Sequence, residues 1–382
     1  MKVDYNPCKV ALLTGYLGAG KTTLLNKILS QPQGHKIAVI VNDIGEVNID
    51  ASLIAKGSTI DMTDNSLVPL TNGCICCTLS QDLAQQLSDL AVTGKYDYIV
   101  IEASGICEPI PIAQTITMMG KATADQNMPE IVHLDNIVTV CDAARMVDEF
   151  SCGERLTEEI EDEEDLASLL VQQLEFTNTV ILNKIDLISD AEKDRIRAVI
   201  KALSPNAVIV EAQYGDVPMS EILDTNRFDF EKACMSAGWI QAIENPEEEE
   251  EGEALEYGIQ TFVYETRKPF DMEKLQKVFL EWPINIIRTK GYVWFAENPD
   301  DAFILEQAGR QVTIQPDGIW LAAASEKDRE EAFADYPDLK DDWDDVYGDR
   351  VNRLVIIGQD LDKEGLTKDF NNALSAKDPI GD

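Results

Sequence analysis

Three short stretches hold side chains whose types and spacing could do chemistry. "GYLGAGKTT", residues 15–23, is glycine-rich and ends in Lys-Thr-Thr. Gly15, Gly18 and Gly20, with the small Ala19 between them, let backbone N–H groups wrap a β-phosphate where a helix begins. Lys21 would bridge β- and γ-phosphates, the Thr22 hydroxyl would ligate Mg²⁺, and Thr23 completes the nucleotide-binding run. The second stretch, "NKID" at 183–186, offers Asn183, Lys184 and Asp186. In guanine-nucleotide binders an aspartate there accepts from N1 and N2 of the base while the asparagine reads the other edge. Adenine presents neither those donors nor the keto group. The third, "NGCICCTLSQDL" at 72–83, puts Cys74, Cys76 and Cys77 straight after an Asn-Gly turn signal.

Those thiols admit three readings. They could be buried small side chains, a redox pair or convergent metal ligands. A turn is a poor place for a core cluster, and a disulfide between adjacent cysteines is strained. Three thiolates on one turn suit a soft or borderline ion such as Zn²⁺ or Cu(I) rather than Mg²⁺. A phosphate loop upstream favours the metal reading without closing the other two.

Each stretch needs an element to hold it. "KVALLTG" (9–15), "KIAVIVN" (36–42), "YDYIVIEA" (96–103), "NIVTVCD" (136–142), "NTVILNK" (178–184) and "NAVIVEA" (206–212) are short, Val/Ile-rich and nearly continuous. Parallel strands covered on both faces read this way. The helical periodicity between them, as in Leu79, Leu83, Leu87 and Leu90, predicts an α/β, doubly wound parallel sheet. The glycine-rich loop then follows a strand and opens a helix, the context a P-loop requires. Glu102 ends the "YIVIE" strand, where a Walker B acid would hold Mg²⁺ through a water, and Gly105 supplies an N–H for a γ-phosphate. Lys21 and Glu102 are the catalytic candidates. "EAQYGD" (211–216) would close over the base.

Past "NPEEEEEGEALEYG" (245–258) the style changes to antiparallel-type strands in "GIQTFVYETRKPF", "NIIRTKGYVWFA" and "FILEQAGRQVTIQ", with helical "DMEKLQKVFLEW" and "EGLTKDFNNAL". The expected organisation is a P-loop G domain over 1–228, an acidic linker over 229–257 and a C-terminal α+β domain over 258–382.

Composition narrows the partners. With 32 Lys and Arg against 70 Asp and Glu, the formal net charge of −38 repels nucleic-acid phosphate and anionic lipid, so neither is expected as a partner. The N-terminus lacks a signal-peptide core and no apolar run reaches a membrane span. Eight cysteines in 382 residues do not make a disulfide scaffold, and a reducing, cytoplasmic location is expected.

In combination these motifs resemble the CobW-type metal-chaperone GTPases, relatives of the nickel-insertion GTPases of urease and hydrogenase. The P-loop, "EASG" from Glu102, "NKID" and above all "NGCICC" carry the likeness. "NDIGE" (42–46), "RTKGYVWFA" and "GDRVNRLVIIGQDLD" extend it over nearly the whole chain. The resemblance implies a GTPase, working with GTP and Mg²⁺, that gates capture or delivery of a transition metal. Zinc is the foremost candidate and cobalt another. Cys74, Cys76 and Cys77 are its implied ligands, with Glu46, or Asp43, as a weaker fourth that moves with the nucleotide state. His133 is a lesser candidate. The implied partner is an apo-metalloprotein client, with a nucleotide-dependent homodimer as an option. The chain departs from the family in carrying Arg145 beyond "CDA" where a histidine is frequent, and in lacking a histidine-rich loop. No glutamine stands where it would obviously orient water, so slow intrinsic turnover is expected. Two rivals remain, a nucleotide-gated metal-sensing partner switch without transfer and an ATP-dependent kinase; "NKID" speaks against the kinase.

Overall fold

The computed structural model describes residues 7–41, 67–69, 80–105, 107, 109–125, 130–150, 166–230, 232, 237, 240, 258–309, 311–340 and 342–380. The chain divides into two compact units. One is Met1–Ser151 with Leu169–Gly238, the other Cys152–Ser168 with Trp239–Asp382. The linker expected over 229–257 falls almost wholly outside the described residues.

The first unit is built on a seven-stranded sheet ordered β3-β2-β4-β1-β5-β6-β7. Its strands are β1 (Cys8–Thr14), β2 (Ile37–Val41), β3 (Leu67–Pro69), β4 (Tyr98–Glu102), β5 (Val132–Asp142), β6 (Thr179–Asn183) and β7 (Val208–Glu211). Every pairing is parallel. The helices are α1 (Lys21–Ser30), α2 (Ser80–Val92), α3 (Pro109–Asp125), α4 (Ala143–Phe150), α5 (Leu166–Glu175, in this unit from Leu169 on) and α6 (Asp190–Leu203). Continuous apolar strands are explained by two cores. Val10 and Leu12 of β1 face a layer with Leu83, Leu87, Ile112 and Ile116 of α2 and α3. Ala11 and Leu13 face the opposite layer, with Leu24, Leu25 and Ile28 of α1. A period of two on a strand covered from both sides leaves no polar face.

From β1 the chain turns one way to β2, and after β4 it crosses to β5 on the other side. The carboxyl end of β1 is therefore a topological switch point, where open α/β sheets bind ligands. The opposite end of the sheet, where the strands begin, is tied down. Asp135, the bulge residue of β5, is fully buried and accepts from Tyr98 Oη (2.6 Å), Asn226 N (2.6 Å) and Thr225 N (3.1 Å). Asp224 beside it pairs with Lys9 Nζ (2.6 Å) and His35 Nε2 (2.8 Å).

The second unit is α+β as expected, with an antiparallel sheet ordered β11-β10-β9-β12-β8. Its strands are β8 (Ile259–Thr266), β9 (Ile286–Phe295), β10 (Asn298–Ala308), β11 (Gln311–Ile319) and β12 (Asn352–Gln359); its helices are α7 (Met272–Leu280), α8 (Glu326–Asp335) and α9 (Lys363–Ala373). Leu275 of α7 and Leu366 and Phe370 of α9 close one core with Tyr264, Phe295, Leu354 and Ile356 of the sheet. No helix among the described residues is long and apolar enough to cross a membrane.

Candidate functional site

The residues expected to handle nucleotide gather at the carboxyl ends of β1, β4, β5, β6 and β7. The loop after β1 works only with glycine at two of its corners. Gly15 has φ +128° and a Cβ there would lie 2.2 Å from the Val140 carbonyl oxygen. Gly20, the residue before α1, has φ +114°, and its Cβ would meet Asn183 Nδ2 at 2.4 Å. The backbone thus approaches its neighbours where no side chain fits, and leaves the first turn of α1 presenting N–H groups. Gly18 also has positive φ, and Ala19 is buried. Lys21 is buried at the first position of α1 and donates to the carbonyls of Gly15 (2.7 Å) and Tyr16 (3.3 Å). Its ammonium lies inside the loop it would serve. Thr23 is exposed.

Thr22 and Glu102 meet although 80 residues separate them. Thr22 Oγ1 donates to Glu102 Oε1 at 3.0 Å. The β1–β4 register, which places Leu13 opposite Glu102, delivers the carboxylate next to the loop. Glu102 is buried at 2% exposure. Two hard oxygens beside a lysine and a phosphate-sized backbone cradle fit a Mg²⁺–nucleotide site and would not attract a soft ion.

On the base side, Asn183 is 2% exposed and links three loops. Its Nδ2 donates to the Ala19 carbonyl (2.9 Å), and its Oδ1 accepts from Gly215 N (3.0 Å). It therefore braces the P-loop against the loop after β7, a role the reading of the base alone does not reveal. An amide nitrogen carries two hydrogens, so the second is compatible with a base contact. Lys184 takes a left-handed conformation (φ 62°) and its Nζ reaches Asp142 Oδ2 at 2.5 Å. Asp186 is exposed on a single 3₁₀ turn, Ile185–Leu187. Ser189 and Glu192 then form a capping box that starts α6 and stops the base loop from fraying into it. Tyr214, next to Gly215, stands out into solvent.

Three participants escape the motifs. Asp142, ending β5, holds Lys184 and also accepts from the Arg145 backbone N–H (3.2 Å). The Arg145 guanidinium lies 4.7 Å from the centroid of the Tyr16 ring, so Arg145 packs on the P-loop. Gln173 of α5 hydrogen-bonds the segment after Glu102. A strand-terminal Asp and the departure at Arg145 were visible signals; a lone Gln on a helix gave none.

Cys74, Cys76 and Cys77, with Glu46 and Asp43, lie outside the described residues, as do Cys152 and Cys234. Gly105 is described, with its backbone against Leu17 of the P-loop. Cys8, Cys107 and Cys141 are buried cysteines. Burial pushes the thiols of Cys8 and Cys141 up to about 12, with Asp97 and Asp142 respectively adding to the rise, so both stay protonated and neither suits a metal. His133 is half exposed and faces Glu130 (3.2 Å). Among the described residues no three His, Cys, Asp or Glu side chains converge as a metal site.

Residues 9–211 match the family "CobW/HypB/UreG, nucleotide-binding domain", and residues 259–374 match "Cobalamin synthesis protein cobW C-terminal domain". The zinc-regulated GTPase metalloprotein activator 1 of Dictyostelium discoideum is 37% identical over 387 residues, covering 96% of this chain and 79% of that protein. The zinc chaperone YjiA of Escherichia coli is 29% identical over 308 residues, covering 77% and 84%. The crystal structure of Zn(II)-bound YjiA GTPase from E. coli superposes with a TM-score of 0.43 at 22% identity, covering 97% of this chain and 100% of that one.

Proposed function

Because the chain belongs to the CobW/HypB/UreG family, we propose that it is a cytoplasmic GTP-hydrolysing metallochaperone, carrying zinc at Cys74, Cys76 and Cys77 to an apo-metalloprotein client. The observation that carries the nucleotide half is the Thr22–Glu102 hydrogen bond at 3.0 Å beside the loop of Gly15 to Lys21. Names of relatives, "zinc-regulated GTPase metalloprotein activator" and "zinc chaperone", support the metal half.

In this reading GTP lies with its phosphates in the loop and the edge of its base toward Asp186. Lys21 exchanges its bonds to the Gly15 and Tyr16 carbonyls for the β- and γ-phosphate oxygens. Thr22 directly and Glu102 through a water would hold Mg²⁺, and the ion would neutralise charge that builds on the phosphates during transfer to water. Asp186 accepts from guanine N1 and N2, and Asn183 keeps the P-loop and the Gly215 loop clasped around the nucleoside. Gly105 offers its N–H to the γ-phosphate. Glu46 supplies the weaker fourth ligand to the cargo zinc. A three-thiolate shell suits a carrier, because structural zinc is normally closed by four ligands.

The test has two parts. Competition between GTP and ATP must favour GTP strongly, and protein purified without chelator must hold zinc that Cys76→Ser with Cys77→Ser removes. Transfer of that zinc to an apo client then separates a chaperone from a metal-sensing switch. Equal binding of ATP and GTP, or zinc retention by the double variant, contradicts the proposal.

A further inference from the structure

The segment after Glu102 is held from a direction the nucleotide motifs do not indicate. Ser104, Gly105 and Cys107 fold tightly, with Cys107 N donating to the Ser104 carbonyl at 3.1 Å. The turn rests on the P-loop so closely that a Cβ on Gly105 would lie 2.8 Å from Leu17 N. Its two outward carbonyls, of Gly105 and Cys107, both accept from one group. That group is Gln173 Nε2, at 3.1 and 3.3 Å. A primary amide has two hydrogens, and here two carbonyls receive them. Gln173 is fully buried, and its own backbone carbonyl accepts from Thr139 Oγ1 (3.0 Å), which fastens α5 to β5. Thr139 stands opposite Thr14, the last residue of β1 before the P-loop. A chain of short contacts thus runs from the P-loop strand through β5 and α5 to the turn that follows the Walker B acid.

We propose that Gln173 is a positioning residue for the γ-phosphate: its amide clamps the backbone of Gly105 and Cys107 against the P-loop and so sets how well the site distinguishes GTP from GDP. The inference rests on the nucleotide reading given above. A buried glutamine could simply satisfy two buried carbonyls. A purely structural clamp would support both nucleotides alike. The turn, however, touches the loop at Leu17, and Gly105 carries the N–H assigned to the third phosphate, which GDP lacks. Loosening it costs GTP its partner and leaves the β-phosphate contacts of residues 18–22 in place.

The test is a pair of titrations, GDP and a non-hydrolysable GTP analogue with Mg²⁺, on wild type and Gln173→Met, which keeps length and removes both donors. Wild-type protein that binds neither nucleotide defeats the functional reading itself, before the variant bears on the clamp. Given wild-type binding, Gln173→Met should weaken the analogue about tenfold, the net worth of one hydrogen bond, and leave GDP within about twofold. Unchanged affinities, or equal losses for both, overturn the proposal. If the methionine variant does not fold, Gln173→Glu decides between pH 6 and 8. A protonated carboxyl can donate to one carbonyl, whereas a carboxylate repels both. The analogue-to-GDP affinity ratio should therefore fall as pH rises in Gln173→Glu and stay flat in wild type. A flat ratio in the variant, or failure of both variants to fold, assigns Gln173 to the core alone.

Discussion

Removing the Asn183 amide gives the sharpest view of how the site is braced. Asn183→Ala breaks two hydrogen bonds at once, Nδ2 to the Ala19 carbonyl (2.9 Å) and Gly215 N to Oδ1 (3.0 Å). Both backbone partners sit in a buried spot, where each lost bond costs about 1 kcal/mol net and more if the orphaned group stays dry. The sum is about 2 kcal/mol. For a unit of this size that lowers the melting temperature by roughly 4–8 °C. The P-loop and the loop after β7 also lose their common tie, so GDP and GTP should weaken together by about tenfold or more. Differential scanning fluorimetry and a fluorescent-nucleotide titration read the two effects. Asp186→Asn is the control, because the Asp186 side chain is exposed on its own 3₁₀ turn. It should leave melting unchanged. An Asn183→Ala protein that melts like wild type would refute the brace.

Asp186→Asn should also weaken GTP by about ten- to a hundredfold, the loss of a charged hydrogen bond, and favour xanthine nucleotide; competition binding checks it. Gly20→Ala puts a Cβ 2.4 Å from Asn183 Nδ2 at φ +114°, so nucleotide affinity should fall at least about tenfold, with circular dichroism unchanged. Lys21→Ala should abolish phosphate release in a steady-state assay. Hydrogen bonding to Lys9, and the charges of Lys9 and His35, hold the Asp224 carboxyl below its ordinary 3.8. A depressed carboxyl contributes stability above its unfolded value and loses it as pH falls through the folded one. The melting curve of wild type should therefore drop below about pH 4 more than that of Asp224→Asn, and identical acid limbs would contradict this.

Much of the fold was legible because its signals are local. Val10 to Leu13 and Ile99 to Ile101 are apolar without alternation, which implies two covered faces, and the two cores on β1 provide them. Gly15, Lys21 and Thr22 lie within one loop, and a strand ending in Glu102 reaches Thr22 because parallel strands align their carboxyl ends. What stayed hidden depends on contacts distant in sequence. β3 is three residues ending in proline at the sheet edge, too short to carry a pattern. β5 starts at Val132 rather than 136 because the Asp135 bulge and the polar His133 interrupt its apolar run. "FILEQAGRQVTIQ" is two strands folded at Gly309, whose φ of 57° makes the turn. The brace by Asn183 and the clamp by Gln173 link residues 164 and 68 positions apart, and no spacing rule connects them.

The proposed chaperone cycle stands on coupling between the two sites. "NDIGE" follows β2, and "CICC" lies in sequence between β2 and the strand that ends at Glu102, so both are tethered to elements beside the phosphates. If GTP draws Glu46 toward Cys74, Cys76 and Cys77, zinc affinity must rise with GTP, and zinc must tighten GTP by the same factor. The decisive measurement is zinc affinity, by competition with a chromophoric chelator, in the presence of GDP and of a non-hydrolysable GTP analogue. The account predicts tighter zinc with the analogue by about 5–150-fold, abolished by Cys76→Ser with Cys77→Ser. Equal zinc affinity in the two nucleotide states would contradict it, however tightly the metal binds.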